Sequence, residues 1–221
     1  MFEEPVEAVI FDMDGTLLDS EAVYIVALQD AAHTLGFELP LALCHATVGI
    51  TGPERTLMLQ QHFGQGFDVA EFRRHFATSV QRQMSERVPI KAGVVELLDC
   101  LAAKGLPLAV ATSAARATAE RNLGRAGLLE RFTALATRDD VEHTKPAPDL
   151  YLEAAKRLGV APARCVAFED SSIGIIAAHA AGMRAVMVID ILPPTDEARA
   201  KCVHVAQDLH EVLRLMSAAA T

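Results

Sequence analysis

The chain has 221 residues, of which 51% are hydrophobic, and it carries a formal net charge of -9 at pH 7. This length exceeds a typical single domain but is short for two independent ones, so we expect one core domain with an insertion. The acidic balance argues against a nucleic-acid partner, because phosphate backbones are held by clusters of Lys and Arg. The N-terminal residues lack the charged start and apolar run of a signal peptide, and no apolar stretch approaches membrane-spanning length. The sequence therefore predicts a cytoplasmic protein without a membrane partner.

The first predicted strand covers 8–11 and is followed at once by an acidic glycine turn. Asp12 and Asp14 are one residue apart, and Gly15 lets the chain leave the strand sharply, so both carboxylates can face one crevice. Like charges this close favour a counter-ion. Magnesium bridging to a phosphate suits them, because it takes oxygen ligands from one or two carboxylates and keeps waters and substrate oxygens. The alternative is a solvated acidic turn, of which Asp-Gly alone is also typical.

The segment 18–87 has the pattern of an all-helical insertion. Helical spacing predicts helices over 20–36, 54–63 and 69–87, and no convincing strand interrupts them. We therefore expect a small helical unit inserted between the first strand and the rest of the core.

The remaining segments, 1–17 and 88–221, are predicted to form a catalytic core in which helices and strands alternate. After the first strand, the pattern predicts helices over 94–104, 115–126, 149–158 and 171–181 and strands over 106–112, 133–137, 164–168 and 184–189. Such alternation implies parallel β-α-β units joined by right-handed crossovers. The predicted fold is therefore α/β, a Rossmann-like three-layer core with a parallel sheet, carrying the inserted helical cap.

Three of the predicted strands end in acids or hydroxyls. The first strand ends in Asp12, the next ends in Thr112 and Ser113, and a later one ends in Glu169 and Asp170. In parallel sheets ligands bind beyond the carboxyl ends of the strands, so we predict a functional site at this edge. Glu169 and Asp170 would complete a magnesium site, and their alternative role is favourable charge at a helix N-terminus.

A phosphoryl group in this crevice gives each side chain a task. Asp12 could attack phosphorus to form an aspartyl-phosphate, while Asp14 could protonate the leaving oxygen and later take a proton from the attacking water. The hydroxyls and amides of Thr112 and Ser113 suit phosphate oxygens, although helix capping is their alternative. Lys145, in a loop stiffened by two prolines, could balance the charge of the nucleophile or could be a solvated surface charge.

Four motifs in order resemble those of a known family. They are Asp-x-Asp-Gly-Thr after a strand, Thr-Ser after the next strand, Lys-Pro-x-Pro-Asp, and Glu-Asp-Ser before Gly-Ile. This set resembles the haloacid dehalogenase-like hydrolase superfamily over essentially the whole chain. The helical insertion resembles the cap of the branch that contains β-phosphoglucomutase, phosphoglycolate phosphatase and sugar phosphatases. The resemblance implies a magnesium-dependent phosphatase that acts on a small phosphorylated metabolite, with sugar phosphates favoured by family likeness.

The resemblance also implies roles for individual residues. Asp12 matches the nucleophile, and Asp14 matches the acid/base whose main-chain carbonyl also binds magnesium. The predicted catalytic residues are Asp12, Asp14, Thr112 and Lys145. The predicted metal ligands are Asp12, Asp14, Glu169 and Asp170. For Glu169 two alternatives stay open: it binds the metal directly, or it lies just outside the direct ligands. The predicted substrate contacts are Ser113, Gly15, Thr16, Glu21, Arg55 and Arg116, of which Arg116 could instead be an ordinary exposed helix residue.

Other reactions of the superfamily fit the sequence less well. Dehalogenation has no leaving oxygen to protonate, so Asp14 argues for phosphoryl transfer. A phosphonatase uses a cap lysine, and the chain has no lysine between Leu18 and Val88. A non-catalytic, magnesium-dependent binding module is a further alternative, against which the four intact motifs argue.

A phosphosugar mutase of the β-phosphoglucomutase type is the serious alternative. The resemblance predicts that its cap would supply a histidine and an arginine for a second phosphate. At the matching places this chain has Tyr24 and, after 49–51, Gly52. Both differences weaken the mutase interpretation, although Arg55 could substitute in part.

Overall fold

The computed structural model describes residues 5–47, 52–64, 66–86 and 88–218. Within them the chain divides into two compact units, Met1–Asp19 with Pro89–Thr221, and Ser20–Val88. The segment 49–51, used in the comparison with mutases, and Arg87, at the end of the predicted cap, lie outside the described residues. None of the helices in the described ranges combines the length and apolarity that a bilayer span requires.

In chain order, the strands and α-helices of the described residues are β1 (Ala8–Phe11), α1 (Ser20–Thr34), α2 (Leu41–Ala46), α3 (Gly52–Phe63), α4 (Val69–Glu86), α5 (Val94–Ala103), β2 (Leu108–Ala111), α6 (Arg116–Arg125), β3 (Ala134–Ala136), α7 (Asp149–Leu158), β4 (Cys165–Glu169), α8 (Ser172–Ala180), β5 (Arg184–Val188), α9 (Asp196–Lys201), β6 (Cys202–Ala206) and α10 (Leu209–Ala218).

The strands form one six-stranded parallel sheet in the order β3-β2-β1-β4-β5-β6. The chain moves outward from β1 through β2 to β3 and then returns to the other side of β1 to form β4. The α/β class with a parallel, Rossmann-like sheet is thus confirmed. In such sheets the crevice between the two strands where the order reverses, here β1 and β4, is the place where ligands bind.

Apolar residues on both faces explain why the central strands lie inside. Every residue of β1, β2 and β4 is buried, as expected for parallel strands that are covered by helices on both sides. One core cluster joins Ile10 and Ala109 of the sheet to Tyr151 of α7 and Ile175 of α8. This packing fixes α7 and α8 against the strands whose ends carry the predicted site.

The regular secondary structure in the described residues of the unit Ser20–Val88 is helical, and α1 packs against α4. Its core contains Phe37, Phe63, Phe67 and Phe72, whose ring centroids are 4.9 to 5.4 Å apart in the Phe37–Phe63, Phe37–Phe67, Phe63–Phe67 and Phe67–Phe72 pairs. This aromatic cluster gives the unit a hydrophobic core of its own.

Two short segments of the sheet-containing unit, each next to the helical unit in the chain, are hydrogen-bonded to each other. The main-chain nitrogen of Asp19 donates to the carbonyl of Pro89 (2.9 Å), and that of Lys91 donates to the carbonyl of Leu17 (3.0 Å). The side chain of Lys91 also contacts Asp190 just after β5, with 2.5 Å between Nζ and Oδ1. Both segments are therefore anchored in the sheet-containing unit.

Candidate active site

The site begins with the ends of three neighbouring strands. Asp12 follows β1, Thr112 follows β2, and Glu169 is the last residue of β4. The main-chain nitrogen of Asp12 donates to the carbonyl of Phe168 (2.9 Å), which extends the pairing of β1 with β4 by one residue. The nucleophile predicted from the sequence therefore lies at the point where the strand order reverses.

Lys145 links Asp12 to Glu169. Its Nζ donates to Oδ1 of Asp12 and to Oε1 of Glu169, the latter at 2.6 Å. Only 4% of the Lys145 side chain is exposed, and both carboxylates are buried. A solvated surface position does not describe this lysine, because its ammonium lies between two buried acids.

Protein donors occupy the accepting positions of Glu169. Oε1 accepts from Lys145 and from the hydroxyl of Tyr151 (3.0 Å), while Oε2 accepts from the nitrogen (2.9 Å) and the Oγ (2.8 Å) of Ser171. A Cβ added at Gly174 would lie only 1.7 Å from Oε1, so the first turn of α8 needs glycine there to admit the carboxylate. A carboxylate has about four lone-pair positions, and here four protein donors use them.

Asp170 is held from the other side by the turn after β1. The Oγ1 of Thr16 donates to its Oδ1 (3.1 Å), and a Cβ at Gly15 would lie 2.3 Å from its Oδ2. Gly15 also has φ +86°, which favours glycine. The Asp-Gly-Thr turn is therefore shaped to admit the carboxylate of Asp170 as well as to redirect the chain.

The electrostatics of the cluster favour an added cation. Burial, opposed by Lys145 and reinforced by Glu169 and Asp14, raises the pKa of Asp12 to about 7. Burial and the charges of Glu169 and Asp12 raise the pKa of Asp170 well above its usual range. Burial disfavours the ammonium of Lys145, but the two adjacent carboxylates outweigh this effect and raise its pKa.

These acids also have the geometry of a metal site. One carboxylate oxygen from each of Asp12, Glu169 and Asp170 lies within 4.8 Å of the others, and the ammonium of Lys145 contacts two of these acids, Asp12 and Glu169. Oxygen is the ligand that hard divalent cations prefer, so the residues present fit such an ion.

The loop after β2 places a hydroxyl at the same edge. Thr112 is buried, and its Oγ1 accepts from the main-chain nitrogen of Ala114 (3.0 Å), whereas Ser113 is exposed. Neither residue caps α6, whose N-cap is Ala115. Because the Thr112 hydroxyl acts here as an acceptor, it can still donate a hydrogen bond, as its predicted role on a phosphate oxygen requires.

The other predicted site residues are more dispersed. Asp14 is half-buried in the turn after β1 and forms a β-bridge with Leu18. Arg116 donates through Nη2 to Oδ2 of Asp140 (2.6 Å), so its guanidinium belongs to an ion-pair network. Glu21 and Arg55 belong to the helical unit, and their roles as substrate contacts stay predictions.

Sequence reasoning did not assign Tyr151, Ser171 or Gly174 to the site. The spacing of Tyr151 in α7 is that of a core-facing helix residue, and Ser171 has the pattern of an N-cap, which it is, because its Oγ accepts from the nitrogen of Gly174 (3.1 Å). The available signal was Gly174 itself, because glycine inside a helix is unfavourable unless something approaches closely.

Comparison with known proteins identifies the family. Residues 9–188 match the family described as haloacid dehalogenase-like hydrolase. The chain belongs to this family. Among its relatives are a phosphorylated carbohydrates phosphatase of Thermotoga maritima, 34% identical over 80% of this chain and 82% of the relative, and the fructose-1-phosphate phosphatase YqaB of Escherichia coli, 34% identical over 81% and 94%. The chain is accordingly a phosphoric monoester hydrolase.

Solved structures of the same family agree with the fold. A hydrolase from Deinococcus radiodurans with bound phosphate and sodium superposes with a TM-score of 0.86 at 28% identity, covering 97% of each chain. The protein CbbY from Rhodobacter sphaeroides in complex with phosphate superposes with a TM-score of 0.72 at 28% identity, covering 94% of this chain and 96% of that one.

Proposed function

We propose that this enzyme hydrolyses the phosphate monoester of a small sugar or related metabolite through an aspartyl-phosphate on Asp12, with Mg²⁺ as its cofactor. The observation that carries this proposal is the position of Asp12, which is buried where the strand order reverses, beside Lys145 and Asp170. A buried carboxylate held by an ammonium is poised to act as a nucleophile toward phosphorus.

The first step forms the covalent intermediate. Lys145 contacts Oδ1 of Asp12, so we expect the other oxygen of this carboxylate to attack phosphorus. As that bond forms, the bond from phosphorus to the ester oxygen breaks, and Asp14 gives its proton to the departing alcohol. The Thr112 hydroxyl would donate to a phosphoryl oxygen and stabilise the charge that develops there.

The second step releases inorganic phosphate. Water attacks the phosphorus of the aspartyl-phosphate while Asp14, now ionised, takes its proton. The bond from phosphorus to Asp12 then breaks and restores the free carboxylate. Lys145, which contacts the free carboxylate of Asp12, would stabilise it as it leaves.

Asp12, Asp170 and the main-chain carbonyl of Asp14 are the groups that would hold Mg²⁺. When bound, the ion supplies positive charge that offsets the repulsion between the carboxylates and a phosphate. We place Glu169 just outside these ligands, because Lys145, Tyr151 and Ser171 occupy its oxygens.

The relatives support a sugar phosphate as the substrate. Two of them are named for phosphorylated carbohydrates and for fructose 1-phosphate, and the solved structures include a CbbY variant in complex with xylulose-(1,5)bisphosphate, at 27% identity. Hydrolysis is favoured over phosphosugar mutation because Tyr24 lies at the place predicted for the mutase histidine. The ring centroid of Tyr24 is 6.2 Å from that of Phe76 within the helical unit.

The test is turnover by the wild type and by Asp12→Asn, with p-nitrophenyl phosphate and a panel of sugar and polyol phosphates in the presence of Mg²⁺. We expect Asp12→Asn to lose about 1,000-fold or more in kcat while circular dichroism shows an unchanged fold. Unchanged turnover would refute the mechanism. Conversion of β-glucose 1-phosphate in the presence of its bisphosphate, faster than hydrolysis of any panel member, would favour the mutase instead.

A further inference from the structure

Tyr151 combines complete burial with a hydroxyl that the core does not need. It lies in the first turn of α7, and none of its surface is exposed. Its neighbours in the core cluster are apolar residues such as Leu150 and Ile175, among which phenylalanine would serve equally well. A buried phenol needs a hydrogen-bond partner, and the hydroxyl finds it in Oε1 of Glu169 at 3.0 Å.

The ring of Tyr151 makes a second contact with the site. The Nζ of Lys145 lies 5.2 Å from the ring centroid, within the distance at which an ammonium is attracted to an aromatic face. One side chain thus contacts both members of the Lys145–Glu169 ion pair, through its hydroxyl at Glu169 and through its ring at Lys145.

The contacts of Tyr151 affect how Asp12 and Glu169 share the ammonium of Lys145. Lys145 has a flexible four-carbon stem, and both Asp12 and Glu169 attract it. Tyr151 occupies one accepting direction of Glu169 Oε1, and the two donors of Ser171 occupy Oε2. Glu169 can then accept Lys145 from a single direction, in which the same ammonium also reaches Asp12.

The backbone holds Tyr151 in this position. The loop from Lys145 to the helix contains Pro146 and Pro148, and α7 begins at Asp149, two residues before Tyr151. The lysine and its aromatic neighbour therefore lie at opposite ends of one short, stiff segment.

We infer that Tyr151 is a positioning residue, which fixes Glu169 and thereby holds Lys145 against the nucleophile Asp12. This inference rests on the proposed function, because it assigns Tyr151 an effect on the reactivity of Asp12. Tyr151 does not touch the reacting atoms and acts only through Lys145 and Glu169.

Two variants separate the contacts. Tyr151→Phe removes the hydroxyl and keeps the ring, whereas Tyr151→Leu removes both. We expect kcat to fall about 10-fold in Tyr151→Phe and further in Tyr151→Leu, because a hydrogen bond to a charged group is lost, while KM stays within about twofold. Each variant is assayed at a temperature at which circular dichroism shows it folded. Ile175→Val, in the same core cluster, controls for loss of packing and should leave kcat unchanged.

A double-mutant cycle with Lys145→Met tests the route of the effect. If Tyr151 acts through Lys145, adding Tyr151→Phe to Lys145→Met changes kcat by less than about twofold. Full multiplication of the two effects, or a kcat for Tyr151→Phe equal to that of the wild type, would overturn the inference. Failure of the proposed function is a different result, because Asp12→Asn would then match the wild type whatever Tyr151 does.

Discussion

Two acidic centres at the carboxyl edge of the sheet differ in how their charge is balanced. Asp140, in the short turn after β3, accepts from Arg116 (2.6 Å), from Arg157 (2.9 Å) and from both the nitrogen and the hydroxyl of Thr137 (2.7 Å each). Asp12, in the turn after β1, shares one lysine with Glu169. Only 14% of the Asp140 side chain is exposed, and Asp12 is buried, so burial alone does not distinguish them.

The direction of the pKa shift records this difference. Burial opposes ionisation of Asp140, but hydrogen bonds from Arg116, Thr137 and Arg157 outweigh it and lower its pKa well below the usual range. At Asp12 burial dominates and raises the pKa. The protein balances the charge of Asp140, which is therefore a structural residue. Asp12 lies in a cluster with excess negative charge, which favours binding of a cation or a proton.

Among the variants that test this contrast, removal of a ligand of the proposed cation should have the largest effect. Asp170→Asn should lower kcat by about 100-fold or more, because the charge that would hold Mg²⁺ beside Asp12 is lost. In the wild type, Mg²⁺ at about 100 times its Kd should raise the free energy of unfolding by about 2.7 kcal/mol, and EDTA should abolish both this gain and activity. Thermal unfolding with and without Mg²⁺ checks the prediction. Asp140→Asn is the matched control, and an equal Mg²⁺ response in Asp170→Asn would refute the assignment.

Gly174 tests whether the carboxylate of Glu169 must lie against α8. A Cβ at this position would meet Glu169 at 1.7 Å, so Gly174→Ala should cost about 1–3 kcal/mol of stability and reduce kcat by displacing Glu169. Gly124→Ala, in α6, is the control because a Cβ added there would have open space within 4 Å. It should be neutral or stabilising by up to about 1 kcal/mol. Chemical denaturation of both variants measures the contrast, which would vanish if Glu169 could move freely.

The contribution of Asp140 to the free energy of unfolding should depend on pH. Its folded-state pKa is lowered, so its stabilising contribution is present above the unfolded-state pKa, about 3.9, and is lost as the pH falls below it. Asp140→Asn should therefore cost about 1–3 kcal/mol at pH 7, and the difference from the wild type should narrow below about pH 4. Unfolding by urea at several pH values measures it. Glu142→Gln removes the same charge from an exposed residue nearby and should show little effect at either pH.

The smallest expected effect concerns Arg116, which the sequence suggests as a substrate contact. Because its guanidinium donates to Asp140 and to the carbonyl of Leu135, we expect Arg116→Met to cost about 1 kcal/mol of stability and to leave KM within about twofold. Steady-state kinetics with the best substrate of the panel decide the point. A large rise in KM with unchanged stability would instead support Arg116 as a substrate contact.

The sequence predicted the central sheet because its strands are continuous apolar runs that end in polar turns. The strand predicted over 106–112 is shorter, Leu108–Ala111, because the nitrogen of Leu106 still donates to the carbonyl of Leu101 at the end of α5. No element was predicted after residue 189, where the structure has α9, β6 and α10. At the edge of the sheet, β6 is only partly buried and lacks a continuous apolar pattern.

The site was predictable where residues follow strand ends and at Lys145, which lies in a loop stiffened by two prolines. Asp12, Thr112 and Asp170 could be assigned because parallel strands bring their carboxyl ends together. Tyr151 could not, since its helical spacing is that of a core residue and its hydroxyl meets Glu169 only after α7 packs against the sheet. The ion pair of Arg116 could not be predicted either, because its partner, Asp140, is 24 residues away in the chain.

The proposed mechanism requires Asp12 to carry the phosphoryl group in a site completed by Mg²⁺. The most direct measurement is a crystal structure of the wild-type enzyme with Mg²⁺ and beryllofluoride, a mimic of a phosphoryl group on a carboxylate. We expect beryllium bonded to a carboxylate oxygen of Asp12, with Mg²⁺ held by Asp12 and Asp170 and with the ammonium of Lys145 beside it. Beryllofluoride bound elsewhere, with Asp12 unmodified, in an enzyme that still hydrolyses its substrate would contradict it.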